Sequence, residues 1–301
     1  MMTITCQVIA ATTSVDQYCA YNNKAEPSPM RTTACESRDQ SPFAATLKKW
    51  RKARKFSQLE LSLEAGISQR HLSFLESGRS RPGKDTIIQL TDALNMPLRD
   101  RNQMLKSAGF AALYKERALD DATMVSVKSA LTMMLDHHEP YPALVVDRNW
   151  NLYMANDASN KLLGLIGEPD PSLLDDGKLN IYRLTFSNKG LRPFITNWPT
   201  IANPLLLRLQ AEVSDDPQNR FLADLLQEVQ SLAREHSYTA ADISATVAPV
   251  LGISMQLGDV KLNLFSMISA FGTALDVTAS ELKVETFFPA DEATKAFFQI
   301  K

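Results

Sequence analysis

The chain has 301 residues, of which 45% are hydrophobic and 22% are charged, and this composition excludes a disordered or fibrous protein. The net charge of -2 is unevenly distributed, because residues 41–117 carry 15 basic and 7 acidic side chains, whereas the remainder carries 17 and 27. A basic segment joined to an acidic one indicates that only the first binds a polyanion. No apolar run reaches the roughly 20 residues of a membrane-spanning helix, so we expect no membrane partner.

Residues 1–40 are rich in Thr, Ser and Asn and lack helical or strand periodicity, so we expect a disordered tail. All three cysteines of the chain, Cys6, Cys19 and Cys35, lie in this tail. We therefore expect no disulfide framework, no thiolate metal site and no cofactor. The first residues lack the basic region and apolar core of a signal peptide, which favours a cytoplasmic location. Met30 lies just before the predicted folded part, so translation is expected to start either at Met1 or at Met30.

A first helix is predicted from Pro42, since Phe43, Leu47 and Trp50 recur at a spacing of three to four residues. This spacing places the three side chains on one face, which we expect to be buried. The basic residues of the helix are expected to form a solvated face: Lys48, Lys49, Lys52, Arg54 and Lys55.

The stretch from Ser57 to Pro82 predicts two short helices joined by a tight turn. Ser57 and Glu60 have the spacing of a capping box, which marks the start of the first helix. Gly66 ends this helix, because glycine adopts the left-handed C-cap conformation without steric cost. Ser68 is then the N-cap of the second helix. Two helices joined in this way are the helix-turn-helix motif, whose second helix lies in the major groove of DNA.

The second helix of the motif, Gln69–Ser77, carries a polar face opposite its apolar side. Amide and guanidinium groups can make paired hydrogen bonds to base edges, so Gln69, Arg70 and Ser73 are expected to face the bases. Two arginines follow in a loop, where phosphate contacts are their natural role: Arg79 and Arg81. The alternative is a small helical bundle whose polar face is only solvated.

Two further amphipathic helices are predicted over Asp85–Leu94 and from Pro97 to Gly109. Together with the three preceding helices, they predict a compact all-α, five-helix domain at residues 41–110. Residues 111–125 are expected to form a linker to the second half of the chain.

Residues 126–301 are predicted to form a second domain of mixed structure. A helix from Ser126 is followed by a β-hairpin that turns at residues 147–149, and then by a strand or extended segment with the sequence NIYRLTF. Residues 194–236 predict two amphipathic helices, and the last third of the chain predicts three strands. Short strands around helices are typical of an α+β domain, here expected to be PAS-like.

Two runs near the motif, GISQRHLSFLESGRSRP and PLRDRNQMLKSAGF, resemble the Xre/Cro-type regulators, whose DNA-binding domain is lambda-repressor-like. Three later runs resemble the MmyB-like ligand-binding domain: PALVVDRNWNLYMAN, TNWPTIA and ALDVTASELKVETFFPADEAT. The resemblance covers most of residues 41–301. It implies a PAS-like sheet that binds a small, apolar or acyl-like ligand. The chain departs from the family in an acidic insertion between Leu163 and Asn180, at the edge of the expected pocket.

The resemblance also implies roles for three residues of the helix-turn-helix region. Gln58 would contact a phosphate, whereas Arg51 would pair with Glu76 as a structural bridge, so we assign neither member of this pair to base reading. The full set expected at the DNA is Gln58, Ser68, Gln69, Arg70, Ser73, Arg79 and Arg81.

Aromatic and polar side chains of the C-terminal half offer a candidate pocket, since ligand sites are mostly apolar with a few polar groups. The candidate lining residues are Tyr141, Tyr153, Asn156, Arg183, Phe186 and Trp198. The aromatic members would fit an ordinary core equally well. The cluster at residues 137–139, His-His-Glu, hints at a metal, but adjacent histidines on a helix point in different directions. A helix end with basic character is the better interpretation, so we expect no metal.

These features predict a transcriptional regulator that binds double-stranded DNA through its N-terminal domain and senses a small molecule through its C-terminal domain. A single helix-turn-helix reads only a few base pairs, so we expect a homodimer on a pseudo-palindromic operator. One alternative is a ligand-independent regulator whose C-terminal half serves only dimerisation. The other is an enzyme with an accessory helix-turn-helix. The sequence lacks the nucleophile, phosphate-loop and dinucleotide motifs of such enzymes, so we expect no enzymatic activity.

Overall fold

The computed structural model describes residues 41–234, 250 and 252–299 of the chain. All of them belong to one compact unit, Gln40–Lys301. An all-α N-terminal domain precedes an α+β C-terminal domain, as the sequence predicts. The expected disordered tail, its cysteines and the alternative start at Met30 lie outside the described residues.

Five helices form the N-terminal domain: α1 (Pro42–Ala53), α2 (Gln58–Glu64), α3 (Gln69–Glu76), α4 (Lys84–Ala93) and α5 (Leu98–Ser107). Their apolar faces meet in one core, whose buried residues include Phe43, Leu47, Trp50, Leu61, Leu72, Leu75, Ile87, Leu90 and Leu105. The three residues predicted to face the core from α1 are all among them. The prediction of an all-α, five-helix domain is therefore confirmed.

Capping side chains set the limits of α2 and α3. Ser57 Oγ accepts a hydrogen bond from the backbone N–H of Glu60 at 3.1 Å, and Glu60 Oε2 accepts one from the backbone N–H of Ser57 at 2.7 Å. The predicted capping box is thus complete. Ser68 Oγ accepts from the backbone N–H of His71 at 3.2 Å. Gly66 follows α2 with a φ of 66°, a left-handed conformation that favours glycine and turns the chain towards α3.

The C-terminal domain is built on a five-stranded antiparallel sheet with the order β2-β1-β7-β6-β5. Its strands are β1 (Ala143–Val146), β2 (Leu152–Ala155), β5 (Gly252–Leu257), β6 (Val260–Ala270) and β7 (Lys283–Pro289), and a separate hairpin contains β3 (Leu174–Asp175) and β4 (Lys178–Leu179). The predicted β1–β2 hairpin and the three predicted strands near the C-terminus are confirmed. The α+β class is confirmed as well, while the PAS-like character of the sheet stays a prediction.

Seven α-helices accompany the sheet within the described residues: α6 (Val125–His138), α7 (Asp157–Gly164), α8 (Ile181–Phe186), α9 (Trp198–Asp215), α10 (Arg220–Arg234), α11 (Val277–Glu281) and α12 (Glu292–Gln299). Side chains of β1 alternate between two cores, because successive residues of a strand point to opposite faces. Leu144 and Val146 pack in the main core with α8, α9 and α10. Ala143 and Val145 pack in a second core with α6 and α11. The sheet therefore has helices on both faces.

The segment NIYRLTF, predicted as a strand or extended segment, forms α8 instead. Asn180 Oδ1 accepts a hydrogen bond from the backbone N–H of Arg183 at 3.2 Å, so the first residue of the segment caps a helix. Tyr182 and Phe186 are four residues apart, and a helix places both in the main core. The prediction is wrong because the apolar residues of so short a segment fit both periodicities, and the capping asparagine decides between them.

The segment between the two domains packs along α5. Asn102 Oδ1 accepts hydrogen bonds from the backbone N–H groups of Leu113 and Tyr114, both at 3.0 Å, and its amide donates to Tyr114 O at 2.7 Å. The guanidinium of Arg101 lies 6.0 Å from the centre of the Tyr114 ring. The start of the expected linker is therefore fixed to the DNA-binding domain, and the domain limits given above stay predictions.

Candidate DNA-binding face and ligand cavity

Helix α3 presents an apolar face to the core and a polar face to solvent. Leu72 and Leu75 are fully buried. Gln69 and Arg70 are exposed, and Ser73 is half-buried. The guanidinium of Arg70 lies 5.4 Å from the centre of the Phe74 ring of the same helix, within the range of a cation–π contact. The three predicted base-reading side chains therefore lie on the side of α3 that faces away from the core.

A buried ion pair joins α1 to α3 beside this polar face. The guanidinium of Arg51 donates to both carboxylate oxygens of Glu76, at 2.5 and 2.9 Å. Gln58 Nε2 donates to the same carboxylate at 2.8 Å, which fixes this side chain at the start of α2. Burial alone would raise the pKa of Glu76, but the hydrogen bonds from Arg51 and Gln58 outweigh it and lower the pKa below its ordinary value. The carboxylate therefore stays ionised and paired.

Arg79 and Arg81 lie exposed in the loop between α3 and α4. Neither side chain has a hydrogen-bond or ion-pair partner among the described residues, so both guanidinium groups are available to an anion. Ser68, the remaining predicted contact, is exposed at the N-terminus of α3, where its hydroxyl caps the helix. The predicted DNA contacts therefore lie on α2, α3 and the loop that follows α3.

Two residues of the predicted solvated face of α1 contact the C-terminal domain instead. Arg54 Nη1 donates to Asp215 Oδ1 at 2.6 Å, and Lys49 Nζ donates to Gln218 Oε1 at 3.2 Å. A chain segment far away in sequence covers this part of α1, and periodicity within α1 cannot reveal such a partner. The expectation of a solvated face is therefore wrong for Arg54, whereas Lys49 contacts the C-terminal domain and stays exposed.

The C-terminal domain contains an apolar cavity of about 90 Å³ between the sheet and helices α7, α8 and α9. Its walls are mostly aliphatic and include Leu144, Leu162, Leu184, Ile195, Met255 and Phe287. Two charged side chains also reach the cavity, Arg208 from α9 and Glu285 from β7. A cavity of about 10–15 Å³ is enough to hold one water molecule. This cavity therefore has room for a ligand group that is larger than a single water molecule.

Arg208 is held in place by aromatic rings. Its guanidinium lies 4.4 Å from the centre of the Trp150 ring, and its Nε donates to the Tyr182 hydroxyl at 3.0 Å. Burial alone would lower the pKa of Arg208, but the neighbouring Tyr182 and Glu285 outweigh it and raise the pKa above its ordinary value. Burial also raises the pKa of Tyr182 to about 12. At neutral pH the Arg208 guanidinium at the cavity therefore stays charged, and the Tyr182 phenol behind it stays neutral.

Glu285 faces Arg208 across the polar end of the cavity. The shortest distance between the two charged groups is 3.8 Å, from Arg208 Nη1 to Glu285 Oε1, so they form an ion pair longer than a hydrogen bond. The Ser266 hydroxyl donates to Glu285 Oε1 at 2.7 Å. The polar end thus offers a donor and an acceptor group to a ligand, whereas the rest of the wall is apolar apart from Ser159 and Thr185.

None of the six predicted pocket residues is among the residues that line this cavity. Phe186 and Trp198 pack edge to face in the main core, with ring centroids 4.9 Å apart. Tyr153 is exposed on β2, and its ring lies 5.3 Å from Lys178 Nζ. Tyr141 lies against α12, where its ring meets Phe298 at 6.2 Å. The aromatic candidates therefore fill cores or lie at the surface.

The two polar candidates have structural partners. Asn156 caps α7 by accepting from the backbone N–H of Ser159 at 3.0 Å. Arg183 forms an ion pair with Glu228 of α10 at 3.0 Å. Sequence reasoning missed Arg208 and Glu285, although Arg208 is the one charged residue of an otherwise apolar run, PLLLRL. A charge at such a position is the signal that indicates a polar group inside a core.

Among the described residues, no group of three or more His, Cys, Asp or Glu side chains is placed to hold a metal ion. His138, from the cluster considered above, has its Nε2 2.7 Å from the carbonyl oxygen of Phe287. No helix in the described part of the chain combines the length and the hydropathy of a membrane span.

Comparison with known families identifies both halves of the chain. The family model of the MmyB-like transcription regulator ligand binding domain matches residues 127–300. The model of a helix-turn-helix family matches residues 47–100. No curated protein matches the chain. The first match includes the cavity, and the second includes α3 and the loop that follows it.

Proposed function

The chain belongs to the family of transcription regulators with an MmyB-like ligand-binding domain, and from that membership we propose that it reads a specific operator through α3 and senses a small ligand in the cavity. Binding DNA is the general activity of the helix-turn-helix domain that the chain contains. The observation that carries the proposal is the pairing of an exposed polar face on α3 with an apolar cavity that has a charged end.

On the DNA side, the proposal assigns base contacts to Gln69, Arg70 and Ser73. Arg79 and Arg81 contact phosphates, since exposed guanidinium groups in a loop have no fixed partner of their own. Gln58, which its hydrogen bond to Glu76 holds at the start of α2, contacts a phosphate as well. Two copies of the chain bind a pseudo-palindromic operator with half-sites about 34–36 Å apart, because one helix-turn-helix reads too few base pairs for a unique site. In vitro selection from random duplexes gives this operator.

Replacing Arg70 by Ala should weaken binding to the selected duplex by about 1–3 kcal/mol and relax the preference at one base pair of each half-site. Arg79→Ala should instead weaken selected and random duplexes alike and reduce the slope of log K against log salt by about 1. Fluorescence anisotropy titrations at several salt concentrations measure both effects. If Arg70→Ala bound both duplexes as the parent does, its assignment to a base would be wrong.

On the ligand side, the proposal assigns the cavity to a small molecule that is mostly apolar, such as an acyl-like compound with one polar end. Aliphatic walls suit its apolar part, and Arg208 with Glu285 suits the polar end. Drug-sized ligands occupy about 300–1,000 Å³. A cavity of about 90 Å³ therefore takes a small ligand as it stands, and a longer chain requires its side chains to move.

Native mass spectrometry of the purified protein should detect such a molecule bound to the protein, with a stoichiometry of at most one per chain. Leu205→Phe, which adds volume at the cavity wall, should lower its occupancy at least about tenfold, since overpacking a filled site costs about 1–3 kcal/mol. The matched control is Leu206→Phe, because Leu206 is the next residue of α9 and packs against the same core without lining the cavity. Protein that is free of ligand under all conditions would favour the ligand-independent alternative, in which the C-terminal domain serves only dimerisation.

A further inference from the structure

A series of ion pairs joins α9 to the segment that runs from α11 into β7. Arg208 and Glu212 of α9 are four positions apart and so share one helix face, and Asp216 follows directly after the helix. The residues from the other segment are two positions apart: Glu281, Lys283 and Glu285. These six residues are called the charge ladder below. The ladder begins at the cavity with Arg208 and Glu285 and continues away from it.

The middle of the ladder is tightly bonded. Lys283 Nζ donates to Glu212 Oε2 at 2.6 Å, and the indole N–H of Trp150 donates to the same oxygen at 2.8 Å. The Trp150 ring lies 4.4 Å from the guanidinium of Arg208 and 4.6 Å from Lys283 Nζ. If Arg208 moves in the cavity, its contact with the Trp150 indole changes. The same indole contacts both members of the middle ion pair, Lys283 and Glu212.

The far end of the ladder contacts the DNA-binding domain. Arg148, from the turn between β1 and β2, bridges Asp216 and Glu281, with 3.2 Å to the latter. Arg99 of α5 donates to both carboxylate oxygens of Glu281, at 2.7 and 2.9 Å. Next to Asp216, the final residue of α9 binds α1 through the Arg54–Asp215 ion pair described above. Helix α5 of the DNA-binding domain is thus bonded to the ladder, and α1 is bonded to the residue next to it.

The junction at the far end contains unsatisfied charge. Asp216 Oδ1 and Asp100 Oδ2 are buried, and neither has a hydrogen-bond partner among the described residues. Burial, and then the charge of Asp216, raises the pKa of Asp100 to about 7. Asp216 keeps its ion pair with Arg148 through its other oxygen, and a buried oxygen without a donor destabilises the junction.

We infer that the charge ladder couples the cavity to the DNA-binding domain. A polar ligand group that binds Arg208 or Glu285 competes with the first ion pair of the ladder. The remaining ion pairs then rearrange, and the ion pair between Glu281 and Arg99 is weakened or re-formed in another geometry. The path runs from Arg208 through the Trp150 ring to the Lys283–Glu212 pair. From there it follows the backbone of α9 to Asp216 and the backbone of the α11–β7 segment to Glu281. This inference rests on the proposal that the cavity holds the regulatory ligand.

A double-mutant cycle in the full-length protein tests the coupling without any ligand. Glu285→Gln changes the cavity end, Arg99→Gln changes the far end, and affinity for the selected duplex is measured for the parent, both single variants and the double variant. Coupled sites should depart from additivity by at least about fivefold in Kd. In a Glu212→Gln background, which breaks the middle of the ladder, this departure should disappear.

The control cycle replaces Glu285→Gln by Thr185→Ala, because Thr185 also lines the cavity but is outside the ladder. This control should be additive with Arg99→Gln. An additive result for Glu285→Gln would overturn the ladder and leave the proposed DNA and ligand sites standing, since no ligand is used.

Hydrogen exchange provides a second test in case the Arg99 variants fold poorly. Glu285→Gln alone should change the exchange of the α5 amides at least about fivefold, whereas Thr185→Ala should not. Equal α5 exchange in the parent and Glu285→Gln would contradict the inference.

Discussion

Replacing Glu76 by Ala should lower the free energy of unfolding of the DNA-binding domain by about 3 kcal/mol. The change removes the partner of Arg51 and leaves a guanidinium that is only 11% exposed without its carboxylate. Breaking a buried ion pair costs about 3–5 kcal/mol, and the residual exposure of Arg51 places the effect at the lower end. Urea unfolding followed by circular dichroism measures the change as a shift of the transition of this domain.

Two comparisons sharpen this prediction. Glu64 is an exposed glutamate at the end of α2. Glu64→Ala should therefore change the free energy of unfolding by less than about 0.5 kcal/mol. Gln58 also loses its carboxylate partner in Glu76→Ala, so affinity for the selected duplex should fall even where the variant is fully folded. An effect of Glu76→Ala no larger than that of Glu64→Ala would show that the pair contributes no net stability.

In the C-terminal domain, Trp150→Ala should lower the free energy of unfolding by about 3–5 kcal/mol. The Trp150 side chain is fully buried, packs edge to face on Tyr182 at 5.1 Å and donates its N–H to Glu212. The substitution leaves a large space in the main core and removes a hydrogen bond to a carboxylate. Differential scanning calorimetry should show a lower midpoint for the transition of this domain.

Tyr153→Ala is the matched control, because Tyr153 is an aromatic residue of the same hairpin that is 38% exposed. It should change the midpoint by much less, since its ring lies at the surface and is already partly exposed to solvent. If Trp150→Ala and Tyr153→Ala had equal effects, the assignment of Trp150 to the centre of the core would be contradicted.

The helix-turn-helix could be predicted from the sequence because its signals are local. Ser57 with Glu60, Gly66 and Ser68 each act within a few residues, and the structure has the predicted caps and turn at all these positions. The five helices of this domain could also be predicted, from the spacing of their apolar residues. The residues that touch DNA and the homodimer stay predictions, since they depend on molecules outside the chain.

The cavity could not be predicted in the same way, because segments far apart in sequence build it. Leu144, Leu184 and Phe287 come from three elements that meet only after folding. Aromatic residues such as Phe186 and Trp198 were plausible lining groups, but their size makes them fillers of the core. The spacing of charges in α9 and β7 was visible in the sequence, and only the structure reveals that the two series face each other.

The positions of the tryptophans make the protein its own optical probe. Trp50 lies in the core of the DNA-binding domain, whereas Trp150 and Trp198 lie in the main core of the C-terminal domain. Trp150 has two cations near its ring and a carboxylate at its N–H, so the energy of its emission depends on the local electric field that these charges create. Light emitted by this one indole therefore carries information on the charges around the cavity, without any label.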